Sequence, residues 1–230
     1  MSDFLLAHKA STSKGSQVFV RKVHFERKSD LIIMWLGGCR IMKTVQPIKD
    51  KDKIDAIKKI LRASSLRNEL LFVLGINTGL RISDILALKV ADVSTIRGVV
   101  DRLELLEKKT KKKREIALSK KTCRLIESYL EKERPAACCD EPVFRSQKGG
   151  KAISRQHAYA ILNNAARSVG ITERIGTHSL RKTFGYFAYK QGIDLAMIQK
   201  LLNHSSQTET LRYIGITQEQ MDEVVLKLDL

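Results

Sequence analysis

Arg81, His178, Arg181, His204 and Tyr213 are the side chains whose types could act together on a phosphodiester. Arg81 follows Thr78-Gly79-Leu80, just past an apolar run, and precedes Ile82, Ile85, Leu86 and Leu88, so packing holds it near a core. His178 and Arg181 lie three residues apart and project from the same face of a helix that carries them. His204 stands between Leu201-Leu202-Asn203 and Ser205-Ser206, and Tyr213 follows nine residues later. Singly, each has an ordinary role open to it: a surface arginine past a turn, a capping histidine beside an ion-paired arginine, a structural histidine, a core aromatic. Together they suit one chemistry. Cleaving DNA without a metal needs a nucleophile, a base, an acid and a clamp for the charge on phosphorus. A tyrosine hydroxyl has a pKa of about 10, so about one molecule in a thousand is ionised at neutral pH. Losing the proton to a neighbouring base in the transition state offsets much of that deficit. Two guanidinium groups supply planar forks matched to phosphate oxygens, and preorganised donors of this sort are worth roughly 3–4 kcal/mol each.

From about Met42 onward, the pattern that must position these groups is mostly helical. Ile54, Ile57, Ile60 and Leu61 share one helical face. Leu70 to Ile76 is apolar all round, which suits a buried helix, and Gly79 can close it as a left-handed cap. Val99 to Leu106 and Arg114 to Leu118 read as two strands flanking the basic turn Lys108-Lys109-Thr110-Lys111-Lys112-Lys113. Ser119 caps a helix that Pro135 terminates; Ser154 caps the next, with Ala158, Ile161, Leu162, Ala165 and Val169 inward and Gly170 after it. Thr177 opens a helix carrying Leu180, Phe184 and Phe187 that Gly192 ends, and a short helix holds Leu195, Ile198, Leu201 and Leu202. The last begins with a capping box, Thr217 to Gln220, and carries an apolar stripe of Met221, Val224, Val225 and Leu228. The expected fold class is mainly α with one small antiparallel β-hairpin.

Charge sets the partner class. Lys plus Arg total 42 against 25 for Asp plus Glu, a formal net charge of +17. Such a field attracts polyanions, nucleic acid first among them. A membrane surface is the rival, but the longest apolar stretch of the first part, Leu31 to Gly38, falls far short of the roughly 20 residues a span needs. No secretory signal opens the chain. The expectation is a soluble, cytoplasmic protein. Cys39, Cys123, Cys138 and Cys139 fit no zinc spacing, and reduced, incidental thiols are expected.

Read in order, the motifs resemble those of the tyrosine recombinases, the phage-integrase family. Thr-Gly-Leu-Arg-Ile-Ser-Asp at 78–84 resembles the first arginine box, and His-Ser-Leu-Arg-Lys-Thr-Phe at 178–184 the His-x-x-Arg box. Leu-Leu-Asn-His-Ser-Ser at 201–206 and Thr-Leu-Arg-Tyr at 210–213 are similar to the second-histidine and nucleophile boxes. Each box alone is weak; four in order make a strong signal, covering roughly Met42 to Leu230. The resemblance implies a catalytic-domain fold and a nucleophile, Tyr213, that forms a 3′-phosphotyrosyl link. It further implies that Arg81, Arg181 and His204 hold the non-bridging oxygens and that His178 assists proton transfer. A lysine on a β-hairpin turn is the acid: Lys109 is the choice, with Lys108 and Lys111 open, because Lys109-Thr110-Lys111 is similar to the family's Lys-Thr-Gly-Lys turn without its glycine. Asp84, where many members carry Glu, either orients Arg81 through a carboxylate pair or is an ordinary helix-surface acid. The implied partner is double-stranded DNA, with a homo-tetramer on paired sites and no metal, small-molecule cofactor or membrane.

Residues 1–41 hold neither helical nor strand period for long; a short strand at Gln17 to Phe25 is the best local expectation. They are a genuine arm, or a translated leader before a natural start at Met42, since adjacent Gly37 and Gly38 could be encoded by a ribosome-binding sequence. Most members of the family carry an N-terminal core-binding domain, and only these 41 unpatterned residues precede Met42. The rival function from another class is a non-catalytic DNA-binding relic that occupies recombination sites; a topoisomerase-like nicking and resealing enzyme would use the same chemistry.

Overall fold

The computed structural model describes residues 45–109, 112–147, 149–173, 175–215 and 225–228. These belong to one unit, Thr44–Leu230. The expected arm over 1–41 and its strand at 17–25 lie outside the described residues.

The fold is helix-rich, as the patterning implies, and carries two small antiparallel sheets where one hairpin was expected. Helix α1 (Lys51–Ser64) is capped by Asp50, whose side chain accepts from the amides of Asp52 and Lys53, and it buries Ile54, Ile57 and Leu61. Ile60, expected on the same face, sits at its edge, 37% exposed. Helix α2 (Leu66–Thr78) is apolar all round because two cores meet on it. Leu70, Leu71 and Leu74 enter one core with Ile85, Leu103, Ile126 and Phe144. Phe72 enters the other with Ile57, Leu162 and Leu180. Each such buried side chain contributes about 1.5–3 kcal/mol. After Gly79 come two single-turn helices, α3 (Ile82–Ile85) and α4 (Val90–Val93).

One strand was expected over Val99 to Leu106; there are two. Strand β2 (Gly98–Val99) pairs with β1 (Ser94–Thr95), and β3 (Arg102–Leu106) pairs with β4 (Lys113–Ala117), with Leu103 opposite Ile116 and Leu106 opposite Lys113. The break falls at Val100 and Asp101, where hydrogen bonds go outside both ladders: Val100 N to Val93 O, and Leu118 N to Asp101 O. Helix α5 (Lys120–Glu133) starts on the Ser119 cap and stops before Pro135, and α6 (Arg155–Ser168) starts on Ser154. Helices α7 (Thr177–Lys190) and α8 (Leu195–Leu202) follow as the pattern indicates.

Helix α9 (Gln207–Ile214), which carries Tyr213, was not expected from the pattern. Its signal is Ser206-Gln-Thr-Glu209: the Ser206 hydroxyl accepts from the Glu209 amide, an N-cap that a polar run conceals. The last capping box, Thr217 to Gln220, lies outside the described residues. Val225–Leu228 is helical, and Val225 and Leu228 are exposed at 70% and 59%, so this end of the stripe is not buried on its own domain. Among the described residues no helix is long and apolar enough to cross a membrane. Cys123, Cys138 and Cys139 are free thiols; Cys39 lies outside the described residues.

Candidate active site

Two glycines bring the functional helices together. Gly79 ends α2 at φ +60, and a Cβ there would lie 2.6 Å from the Phe184 ring, so only glycine lets α2 stop against α7 and turn toward Arg81. Gly185 faces α9: a Cβ would meet Ile214 at 2.7 Å and Leu202 at 3.2 Å. The absent side chain is the space in which the helix that carries Tyr213 docks.

Above these contacts opens a cleft of about 470 Å³. Arg81, Lys109, His178, Arg181, His204 and Tyr213 all line it, joined by Lys108, Arg155 and Glu209. Every candidate named from the sequence is therefore brought to one place; Lys111 lies outside the described residues.

Arg181 is the most constrained. Only 3% exposed, it donates from Nη1 to the Gly79 carbonyl at 2.7 Å and from Nη2 to the Leu202 carbonyl. One side chain thus ties the segment before Arg81 to the segment before His204. Burial lowers its pKa to about 10, which leaves it charged at neutral pH. His178 is exposed at the mouth, in the first turn of α7, and its pKa is lowered by partial burial and by the nearby Arg181, Lys182, Arg155 and Arg81.

His204 is held at Nδ1, 3.2 Å from the Thr210 hydroxyl. That hydroxyl gives its one hydrogen to the Ser206 carbonyl at 3.1 Å, so its oxygen accepts and Nδ1 donates. Nε2 is then the unprotonated nitrogen of the neutral ring. Burial, reinforced by Arg181, lowers the His204 pKa to about 4. The ring stands edge-on to Tyr213, centroids 4.7 Å apart at 69°. Lys182 covers the Tyr213 ring, its Nζ 5.3 Å from the centroid. Among the described residues the Tyr213 hydroxyl is buried and without a well-formed hydrogen bond, although the Arg181 guanidinium stands beside it. Burial raises its pKa, while the cations Arg181 and Arg81 act in the opposite sense. A buried hydroxyl without a partner is costly unless a ligand completes the site.

The carboxylate on Arg81 is a correction to the expected one. Glu107, fully buried, accepts from Arg81 Nη1 at 2.6 Å and from Arg114 Nη1 at 3.0 Å. Asp84 is neither Arg81's partner nor a surface acid. It is 3% exposed and accepts from the Lys108 amide at 3.0 Å, which anchors the base of the turn that carries Lys109. Sequence reasoning also missed Arg155, which reads there as an ordinary first-turn residue of α6.

Comparison with known proteins identifies the family and the fold. The sequence model of the Phage integrase family matches residues 49–220. A protein named "Probable integrase/recombinase YoeC", from Bacillus subtilis (strain 168), is 44% identical over 178 residues, which cover 77% of this chain and 93% of that protein. The tyrosine recombinase XerD of Mycobacterium leprae (strain TN) is 32% identical over 166 residues, covering 69% of this chain and 51% of XerD, so the chain spans about half of that relative. Among solved structures, the XerH recombinase bound to palindromic difH in a post-cleavage complex aligns at a TM-score of 0.62 and 25% identity, over 78% of this chain and 51% of that one. The XerA recombinase shares the fold at a TM-score of 0.64 and 19% identity, over 81% and 64%. The matched segment takes in all six candidate side chains, and the chain belongs to the phage integrase family.

Proposed function

We propose that this protein is a site-specific DNA recombinase that cuts and rejoins double-stranded DNA through a 3′-phosphotyrosyl intermediate. The observation that carries this reading is the buried Tyr213 hydroxyl, unpartnered among the described residues, in a cleft with three arginines and two histidines. Tyr213 Oη bonds to phosphorus as the bond to the 5′ oxygen breaks. Its proton passes to His178, and the Lys109 ammonium gives a proton to the departing 5′ oxygen. Arg81 and Arg181 neutralise the charge that grows on the non-bridging oxygens. His204 joins them as the imidazolium, since its neutral ring presents Nε2 without a hydrogen; the phosphate's own charge favours that protonation. Rejoining runs the same steps backward, and one phosphodiester replaces another, so no external energy source is needed. XerH, a site-specific recombinase bound to its palindromic difH substrate in a post-cleavage complex, supports DNA as the partner.

The test is incubation of the full chain with nicked DNA that traps the covalent adduct. The native protein gives an adduct; Tyr213→Phe binds the same DNA and gives none. Undiminished adduct from Tyr213→Phe would remove the tyrosine from the mechanism. A tetramer on paired sites is part of this proposal: a neighbouring protomer would cover the exposed end of the C-terminal stripe, Val225 and Leu228. Deleting the residues after Ile216 then leaves cleavage in place and abolishes complete strand exchange. Unfolding of the shortened monomer would place the helix on its own domain instead.

A further inference from the structure

We infer that Glu107 is a positioning residue, holding in one register the three segments that bear Arg81, Lys109 and His204; the inference rests on the cleavage reading above. It sits directly after β3 and directly before Lys108-Lys109. Its backbone amide donates to the Lys112 carbonyl at 3.0 Å, which closes the last rung of the hairpin below the turn. One carboxylate oxygen accepts from Arg81 Nη1 at 2.6 Å and from Asn203 Nδ2 at 2.8 Å; the other accepts from Arg114 Nη1 at 3.0 Å. Asn203 is the left-handed cap of α8, at φ 48, and the residue after it is His204. Arg114, on β4, also reaches the Leu201 carbonyl and, at 3.4 Å, the Thr78 carbonyl. A single fully buried carboxylate therefore touches the first arginine, the lysine hairpin and the second-histidine segment.

A buried negative charge is an unfavourable choice in a cleft meant for phosphate. It lowers the local positive potential and so weakens attraction for DNA. What it contributes is aim. A guanidinium is a flat fork, and a carboxylate on Nη1 fixes the plane in which the remaining N–H groups of Arg81 present themselves. Asn203 and Arg114 fix the carboxylate in turn, so Arg81 cannot swing without moving the hairpin or the α8 cap. The consequence is a split between binding and chemistry that a purely structural residue would not give. Glu107→Gln keeps the size and some of the hydrogen bonds, removes one negative charge from the site, and loosens Arg81.

The experiment measures DNA affinity, melting temperature and single-turnover cleavage for the full chain and for Glu107→Gln. Two substrates are used: ordinary nicked DNA, and DNA with a neutral methylphosphonate at the scissile position. On ordinary DNA the variant binds as tightly as the native protein or more tightly, yet cleaves slower by about 10- to 100-fold, the scale expected of a small misplacement of a catalytic group. On the methylphosphonate, where the oxygen charge that Arg81 meets is gone, the penalty shrinks severalfold. An equal penalty on both substrates, or cleavage at the native rate, overturns the inference. Should Glu107→Gln fail to fold, Asn203→Gly decides. It removes one arm of the network while suiting the left-handed backbone; slower cleavage at an unchanged melting temperature supports the role, and a native rate overturns it. A native protein inert on ordinary DNA would instead sink the cleavage reading itself.

Discussion

The two sides of the cleft are built differently. On the helical side, Arg181 is 3% exposed and bonded to two backbone carbonyls, and Tyr213 lies on a helix docked into the space left by Gly185. On the hairpin side, Lys108 and Lys109 are exposed, above a base held by the Lys108 amide on Asp84 and by the buried Glu107 carboxylate. In the proposed mechanism, the groups that meet a fixed point, the phosphorus, are built into the core, and the group that reaches a departing oxygen is on the surface. Preorganised donors gain from burial, because a low local dielectric strengthens them and they need no reorganisation. A lysine acid keeps its proton best in water, because burial would lower its pKa. The difference predicts that stability and activity are coupled on one side and separable on the other.

The largest effect is expected at Arg181. Arg181→Ala removes the proposed phosphate donor and strands the Gly79 and Leu202 carbonyls. Cleavage falls by about 10²–10³-fold. Stability falls by about 1–3 kcal/mol for each unsatisfied buried carbonyl, read as a drop in the denaturant midpoint. A variant that lost activity at native stability would break the coupling. Lys109→Ala is the counterpart: cleavage falls by about 10²-fold, while stability stays within about 0.5 kcal/mol. Sulfur in place of the 5′ leaving oxygen, which departs without protonation, restores the rate. Restoration in Lys108→Ala but not in Lys109→Ala would move the acid by one residue.

Much of the helical side was legible because its constraints are local. Gly79 after an apolar run, His178 and Arg181 three apart on one helix, and the Ser119 and Ser154 caps each announce themselves within a few residues. The hairpin side was less so. Glu107 reaches Arg81 across 26 positions and sits beside a run of lysines, where a glutamate reads as a solvated charge. Asp84 resembled an orienting acid by its place after Arg81, but the end of β3 brings Glu107 to that position. Helix α9 was hidden because its buried residues, Thr210 and Ile214, give almost no apolar stripe. Its fixation comes from partners, namely Gly185 and the Ser206 cap, rather than from its own sequence.

Gly185→Ala tests the docking of α9 alone. The added methyl meets Ile214 at 2.7 Å, and forcing that contact costs about 1–3 kcal/mol. The strain is relieved by displacing α9, so cleavage should slow while DNA affinity, carried mainly by the basic surface, stays near native. Equal losses of affinity and cleavage would mean that the whole helical side had moved.

The smallest effect separates the two histidines by pH. His204 has its folded pKa lowered to about 4 by burial and by Arg181; Glu209 acts in the other sense, and Arg81 reinforces the lowering. The unfolded chain takes up that proton near the ordinary histidine pKa of about 6.5. Between those values the unfolded state binds more protons, so stability rises with pH across the window and is lost as pH falls from about 6.5 toward 4. His178 is shifted in the same direction but is exposed, so solvent screening reduces its share. His204→Gln should therefore flatten the melting-temperature profile between pH 6.5 and 4.5 more than His178→Gln does. Bound DNA reverses the sign at His204: the phosphate charge favours the imidazolium, so the complex takes up a proton and affinity increases as pH falls through the same window. Isothermal titration in buffers of different ionisation enthalpy reads that uptake directly. Zero net proton uptake in the native protein would mean that His204 meets the phosphate as the neutral ring, and that the bond from Nδ1 to Thr210 is remade when DNA binds.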